Sequence, residues 1–357
     1  MNLLILGSHG ILEYDELRLF SDLGYDVFMP GGYSKPSEPG ETLRPALPNA
    51  PYFPDLAALC HEQRVKHVGQ PTDFGVVDWA KADLHPDLIE WADVIMVNCF
   101  PDTWIGNQWE RIRHKRVIWR TIGQSSPRLE HFMRQFAQQG MEIVRYSPAE
   151  RRAFEPIGVF AGEDAVIRFS KYPADYGPWI GDNAVVGNVT QNLDLRGDHC
   201  GLDFWTEATK GLPVQLAGTG SERLGGIGEL SYPAMLDYLS HLRAYLYMGT
   251  QPASYTLGLM EAMLAAVPVV SIGPRDMWMP DLFEGHEIAG DWFDDPVKAR
   301  TELSVYLNDR ACAWADSEHS RDFAVELFSV ENVGPQWLRF LGSPARSSFV
   351  RESVTAA

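Results

Sequence analysis

The chain has 357 residues, 45% of them apolar, which is too long for one ordinary core and long enough for two. Its 30 basic residues against 48 acidic ones leave a net charge of −18 with no Lys/Arg-rich tract, which argues against nucleic acid or an anionic membrane as a bulk partner. Cys60, Cys99, Cys200 and Cys312 are scattered without a CxxC pair, so neither a zinc site nor a disulfide framework is indicated and a reducing, cytoplasmic setting fits; no apolar run reaches the roughly 18 residues of a membrane span.

Short apolar, β-prone runs alternate with amphipathic segments from end to end, the pattern of parallel sheets with crossover helices. The expected class is α/β, as two Rossmann-like doubly wound domains. In the first half the runs predict strands at 3–7, 26–30, 66–70, 93–99, 116–121 and 142–147. Helices are predicted at 15–24, 85–92, 103–114, 126–140 and 147–155. Gly24 and Gly140 stand where a helix end needs a left-handed residue, and Ser126-Pro127 and Ser147-Pro148 are cap-plus-proline starts. The tract 156–182 is rich in Gly and Pro, loses the alternation and reads as the crossover between domains. Beyond it, strands at 183–189, 213–220, 244–249 and 268–273 alternate with helices at 201–211, 232–241 and 256–266. The tail 295–341 reads as helical throughout. Two doubly wound domains place ligands at the carboxyl ends of their strands, so the residues just after each strand are the candidates.

After the first strand, "GSHG" supplies Gly7, His9 and Gly10. It lacks a full GxGxxG, but its small residues would let backbone N–H groups approach a phosphate or a sugar. His9 is either a ligand or acid–base group, chosen for its near-neutral pKa, or a plain turn histidine. Asp73 in "QPTDFG" is either turn chemistry or an acceptor contact, and Asn98 ends a buried strand at the cleft. Glu261 is the one acid of an otherwise apolar helix. A carboxylate there is either in a salt bridge, on an exposed face, or a hook for the vicinal hydroxyls of a ligand. Asp294-Asp295, directly before Pro296, reads as a helix N-cap rather than a metal-binding DxD, and no metal is assigned.

The stretch "PASYTLGLMEAM" followed by "AVPVV" resembles the nucleotide-sugar motif of family-4 glycosyltransferases of the GT-B fold, commonly E-G-F-G-L-x-x-x-E-A-M-A-x-G-x-P-V-V. "VVGNVTQNLDLRGDHCGLDFWTEA", "VQLAGTGSE", "GELSYPAMLDYLSHLRAYLYMG" and "FSVENVGPQWLRFL" resemble further family segments in the same order, so the likeness covers roughly 180–342. It implies GT-B architecture, with an acceptor domain at 1–178, a nucleotide-sugar domain at 179–335 and a helix and tail at 336–357 returning to the first domain. It further implies transfer of a sugar, with retention, from a nucleotide-diphosphate donor to an acceptor hydroxyl, with no cofactor besides that donor substrate. Two alternatives stay open: a GT-B sugar-nucleotide epimerase, or a nucleotide-sugar binder without catalysis. By position, the resemblance makes Glu261 the ribose ligand. Tyr255, Thr256 and Leu257, beside Ser254, become the segment facing the diphosphate, Arg196 its neutralising cation, and Gly218, Thr219 and Gly220 a strand end that base or diphosphate can approach. The pattern departs at three places: the first family glutamate is Ala253, the family arginine is Asn188 beside Gln191, and the acceptor-side histidine is replaced by Gly123 or Gln124, of which Gln124 can still bond a sugar hydroxyl.

Overall fold

The computed structural model describes residues 1–6, 10–29, 84, 86–123, 125–250, 253, 255–272, 292–293 and 295–342. The strand predicted at 66–70 lies outside these residues, as do His9, Gly7, Asp73, Gln124 and Ser254.

The apolar runs of the first half form a parallel sheet of six strands: β1 (Asn2–Leu6), β2 (Asp26–Phe28), β3 (Val94–Val97), β4 (Arg116–Arg120), β5 (Glu142–Arg145) and β6 (Ala165–Val166), in the order β2-β1-β3-β4-β5-β6. Successive side chains of β1 go to opposite faces, as the pleat requires. Leu4 and Leu6 join one core with Trp104 and Ile105 of α3 (Pro101–Ile112) and Met133 and Phe136 of α4 (Pro127–Ala137). Leu3 and Ile5 join another with Leu17 and Phe20 of α1 (Gly10–Asp22). A short helix, α2 (Pro86–Trp91), covers the β1 side of the first core through Leu88 and Ile89. Burial on both faces explains why these strands read as continuous apolar runs rather than alternating ones. The sequence signals for helix ends hold: Ser126 Oγ accepts from the Leu129 amide at 3.2 Å, and Gly24 and Gly140 adopt φ of 87° and 104°. After β5 the chain forms α5 (Ala149–Phe154).

The second half forms a parallel sheet of five strands in the order β11-β10-β9-β7-β8: β7 (Asn183–Val189), β8 (Val214–Ala217), β9 (Leu242–Tyr247), β10 (Val269–Ile272) and β11 (Trp292–Phe293). Its crossovers include α6 (Leu193–Arg196), α7 (Leu202–Ala208), α8 (Tyr232–His241) and α9 (Leu257–Leu264). Both sheets reverse their strand order beside the first strand, between β1 and β3 and between β7 and β9, and the carboxyl ends at these switch points are the ligand positions of doubly wound folds.

Two departures from the expected elements have physical causes. The tail, helical as expected, is interrupted at two residues into α10 (Pro296–Asn308), α11 (Arg310–Phe328) and α12 (Val330–Leu341). Asp309 restarts the chain by accepting from the Ala311 and Cys312 amides at 2.9 and 3.1 Å, and Ser329 is extended, with φ −64° and ψ 147°. Within 156–182, β6 adds a two-residue edge strand too short to show a period. Asp295 caps α10 as its position before Pro296 suggests, accepting from the Val297 amide at 2.8 Å.

The chain passes between the sheets twice, and the two passages are tied together. The Lys171 amide donates to Phe328 O at 2.8 Å, and the Val330 amide donates to Lys171 O at 3.0 Å. Beyond the second passage α12 packs on the first sheet. Trp337 meets Phe20 edge-on with centroids 5.0 Å apart, inside the core of Leu3 and Ile5. Its terminal carbonyls, which a helix cannot satisfy itself, accept from Arg116 at Phe340 O (3.0 Å) and Leu341 O (3.1 Å), and Tyr25 Oη donates to Gly342 O at 2.6 Å.

Candidate functional site

A cavity of about 490 Å³ lies at the β7/β9 switch point, closed from the other side by Ile11, Leu12, Ile122 and Gly123 of the first half. Its wall brings together Asn188, Gln191, Arg196, Gly218, Tyr255, Thr256, Leu257 and Glu261 from the sequence-predicted residues. Thr219 and Gly220 sit behind this wall. The Thr219 amide donates to Gln191 Oε1 at 2.6 Å, and a Cβ on Gly220 would fall 2.2 Å from the Arg223 guanidinium. At Gly218, with φ 114°, the space a side chain would need is taken by Thr190 O at 2.5 Å. The room these two glycines free is thus used by the protein's own atoms. Gly10 opens α1 on the opposite side of the cleft.

α9 points its N-terminus at the cavity, with Thr256, Leu257 and Gly258 in the lining. Thr256 is extended at the N-cap, φ −120° and ψ 162°, but its side chain makes no capping bond. The first amides of a helix have no intrahelical acceptor, and the helix dipole favours negative charge there. Arg196, half-buried in the same wall, makes one long bond to Gln191 O at 3.5 Å and has no carboxylate partner among the described residues. His199, which sequence reasoning did not single out, lines the wall as well. Asn188 is otherwise engaged: Nδ2 donates to Leu246 O at 2.8 Å, and Oδ1 accepts from Thr190 Oγ1 at 2.6 Å.

Glu261 is 3% exposed, and its burial is compensated. Lys171 Nζ lies 2.7 Å from Glu261 Oε1 and 2.6 Å from Asp15 Oδ2, so one ammonium from the crossing segment joins a carboxylate of α9 to one of α1. The salt-bridge reading and the cavity-wall position therefore hold together for this residue. Lys171 was missed because its partners are remote in sequence and its tract looked like a linker.

Above this network an aromatic cluster closes the junction. Tyr146 stacks on Phe169 at 5.0 Å, and Tyr255 packs against both Tyr146 (5.0 Å) and Phe328 (5.3 Å). Tyr255 Oη donates to Tyr146 O at 3.0 Å and accepts from the Phe169 amide at 3.1 Å, and burial pushes its hydroxyl up to about 12. The side chain of Tyr255 is thus a structural bolt, while its neighbours at 256–258 face the cavity. Beside it the halves touch: a Cβ on Gly123, φ 81°, would sit 2.9 Å from Ala253 Cβ and 2.7 Å from Tyr146 Oη.

Asn98 lies elsewhere. It lines a second cavity of about 500 Å³ at the carboxyl ends of β3 and β4, with Phe100, Ser125 and Phe132. Phe100 has φ 50° and ψ 49°, a left-handed conformation that costs a non-glycine residue about 1–2 kcal/mol. A buried polar group supports this floor: Asn98 Nδ2 donates to Glu16 Oε2, and Glu16 Oε1 lies 3.4 Å from Arg120 Nε.

No protein-family model matches the chain, and no curated protein sequence matches it significantly. Solved structures do. Sucrose-phosphate synthase from Thermosynechococcus elongatus superposes with a TM-score of 0.65 at 15% identity, over 96% of this chain and 98% of that one. The Anabaena protein HepE, in complex with UDP-glucose, gives 0.65 at 15% identity over 96% and 100%. An alpha-glucosyltransferase in complex with UDP and a 13-mer DNA containing an HMU base gives 0.57 at 10% identity over 96% and 99%. The fold is therefore that of the GT-B glycosyltransferases, and at these identities the likeness concerns the fold. Among the described residues no helix is long and apolar enough to cross a membrane.

Proposed function

We propose that this chain is a glycosyltransferase that moves a sugar from a nucleotide-diphosphate donor to an acceptor hydroxyl, with retention. The observation that carries the reading is the convergence in one cavity of the uncapped N-terminus of α9, the guanidinium of Arg196 and the carboxylate of Glu261. In this reading Glu261 accepts from the ribose hydroxyls while Lys171 holds its carboxylate in place. The α9 amides and Arg196 meet the diphosphate. As the bond between sugar C1 and the diphosphate oxygen breaks, C1 bonds to the acceptor oxygen, and the acceptor proton leaves on the diphosphate. Because Arg196 and the amides are in place beforehand, they stabilise the growing negative charge without reorganising, the usual source of such catalysis. The UDP-glucose bound by HepE makes UDP-glucose the first donor to test.

Isothermal titration with UDP, GDP and ADP tests the donor site: one of them is expected to bind, and Glu261→Ala to weaken it at least tenfold. Binding of none at millimolar concentration defeats the reading. A second reading, nucleotide-sugar binding without transfer, draws support from the Gly123 and Ala253 contact, since neither of these two residues carries a reactive side chain. Release of free UDP in the presence of acceptors separates the two.

A further inference from the structure

The second cavity carries a feature the donor site does not explain. Asn98 is 2% exposed and lines that cavity, and its amide is oriented by the donation of Nδ2 to the Glu16 carboxylate. Its other branch, Oδ1, is buried with no hydrogen-bond partner among the described residues. A buried carbonyl is ordinarily satisfied, and one left open in a cavity wall is an acceptor waiting for a donor. Ser125, buried in the same wall, adds a hydroxyl.

The rim is aromatic. Phe100 is 48% exposed despite its left-handed backbone, and Phe132 is also exposed, lying over Gly106 of α3, where a Cβ would come within 3.2 Å of its ring. Strained, exposed residues beside a cavity are found where function holds them in place. Among the described residues of the lining, Arg128 is the one cationic side chain and Asp102 the one anionic one. Ile122 lines both cavities, so a molecule held here borders the donor site.

The geometry points to an acceptor with an uncharged saccharide ring, one hydroxyl donating to Asn98 Oδ1 and one C–H face lying on Phe100. Polar donors for a buried carbonyl, a flat apolar face for an aromatic rim and no net charge are met together by a neutral sugar. A simple alkyl alcohol would leave the wall's hydroxyl and amide groups without partners. The inference rests on the transfer reading for its meaning but not for its test.

Saturation-transfer NMR on the full chain with methyl glycosides of glucose, galactose, mannose and N-acetylglucosamine reads binding without any donor. At least one is expected to bind, and Phe100→Gly, which keeps the left-handed backbone and removes the ring, is expected to weaken it at least tenfold while leaving the affinity for UDP unchanged. Asn98→Leu is expected to do the same, and Phe100→Tyr to retain binding. With UDP-glucose as donor, the acceptor KM should rise at least tenfold in Phe100→Gly, with donor KM unchanged. The inference is overturned if no neutral glycoside binds, if Phe100→Gly binds as well as the parent, or if glucuronate and sugar phosphates bind more tightly than the neutral series. Failure to bind any nucleotide with glycoside binding intact would sink the donor assignment and leave the saccharide site standing.

Discussion

Glu150 offers a quantitative test of the buried polar layer beneath the cleft. It is 6% exposed, Oε2 accepts from Thr121 Oγ1 at 2.5 Å, and Oε1 has no partner. Burial, only partly offset by the nearby Arg145 guanidinium, raises its carboxyl from the ordinary 4.5 to about 7. A folded value above the unfolded one means that the native state holds this proton more tightly. The stabilisation is fully present below pH 4.5 and is lost as pH rises through about 7. The gap between the two values corresponds to about 3.5 kcal/mol, at about 1.4 kcal/mol per unit. Glu150→Gln keeps the shape and an acceptor for Thr121 but cannot ionise. Urea unfolding at intervals from pH 5 to 8 should therefore show the parent losing about 2.5 kcal/mol more than the variant across this window. The variant should be the more stable of the two at pH 8. Parallel pH profiles for the two proteins would refute the assignment, because they would mean that the carboxyl titrates alike folded and unfolded.

Lys171→Met strands the Asp15 and Glu261 carboxylates together in the interior, and breaking one member of such a buried ionic group typically costs about 3–5 kcal/mol. Chemical denaturation should show a loss of that order, and adding Glu261→Gln should recover part of it. Gly218→Ala meets both a positive φ and the Thr190 carbonyl, so thermal unfolding should show a destabilisation of at least about 1 kcal/mol, with the loop joining β8 to its neighbours displaced.

Much of this architecture is written locally. Strands buried on both faces announce themselves as apolar runs, and Ser126, Asp295, Gly24 and Gly140 mark helix ends because capping needs only neighbours in sequence. The position of Glu261 in a cavity wall was legible from its isolation in an apolar helix. What was not legible depends on distant partners. Lys171 takes its meaning from Asp15 and Glu261, on opposite sides of the junction, and nothing in "FSKYPADYG" signals either. The meeting of Gly123 with Ala253 joins two positions whose missing side chains could be noted separately but not seen as one place. Asn98 was recognisable as a strand end at the cleft. That its Oδ1 stays open follows only from where Glu16 sits. The breaks at Asp309 and Ser329 fall on cap-forming residues, so they too were written locally although the tail reads as helical throughout.

The seating of α12 on the first sheet has a consequence for how the molecule is made. Leu3, Ile5 and Phe20 share their core with Val333, Trp337 and Leu341, so the first folding unit is discontinuous in sequence. Synthesis runs from the amino terminus, and the first sheet, finished at Val166, leaves the ribosome with part of that face uncovered until the chain has grown on to α12 at Val330. The second sheet, contiguous in the chain, can fold before the first is complete. A fragment ending at residue 178 should accordingly be insoluble or aggregated, whereas one that appends 330–342 through a flexible linker should recover a packed first domain.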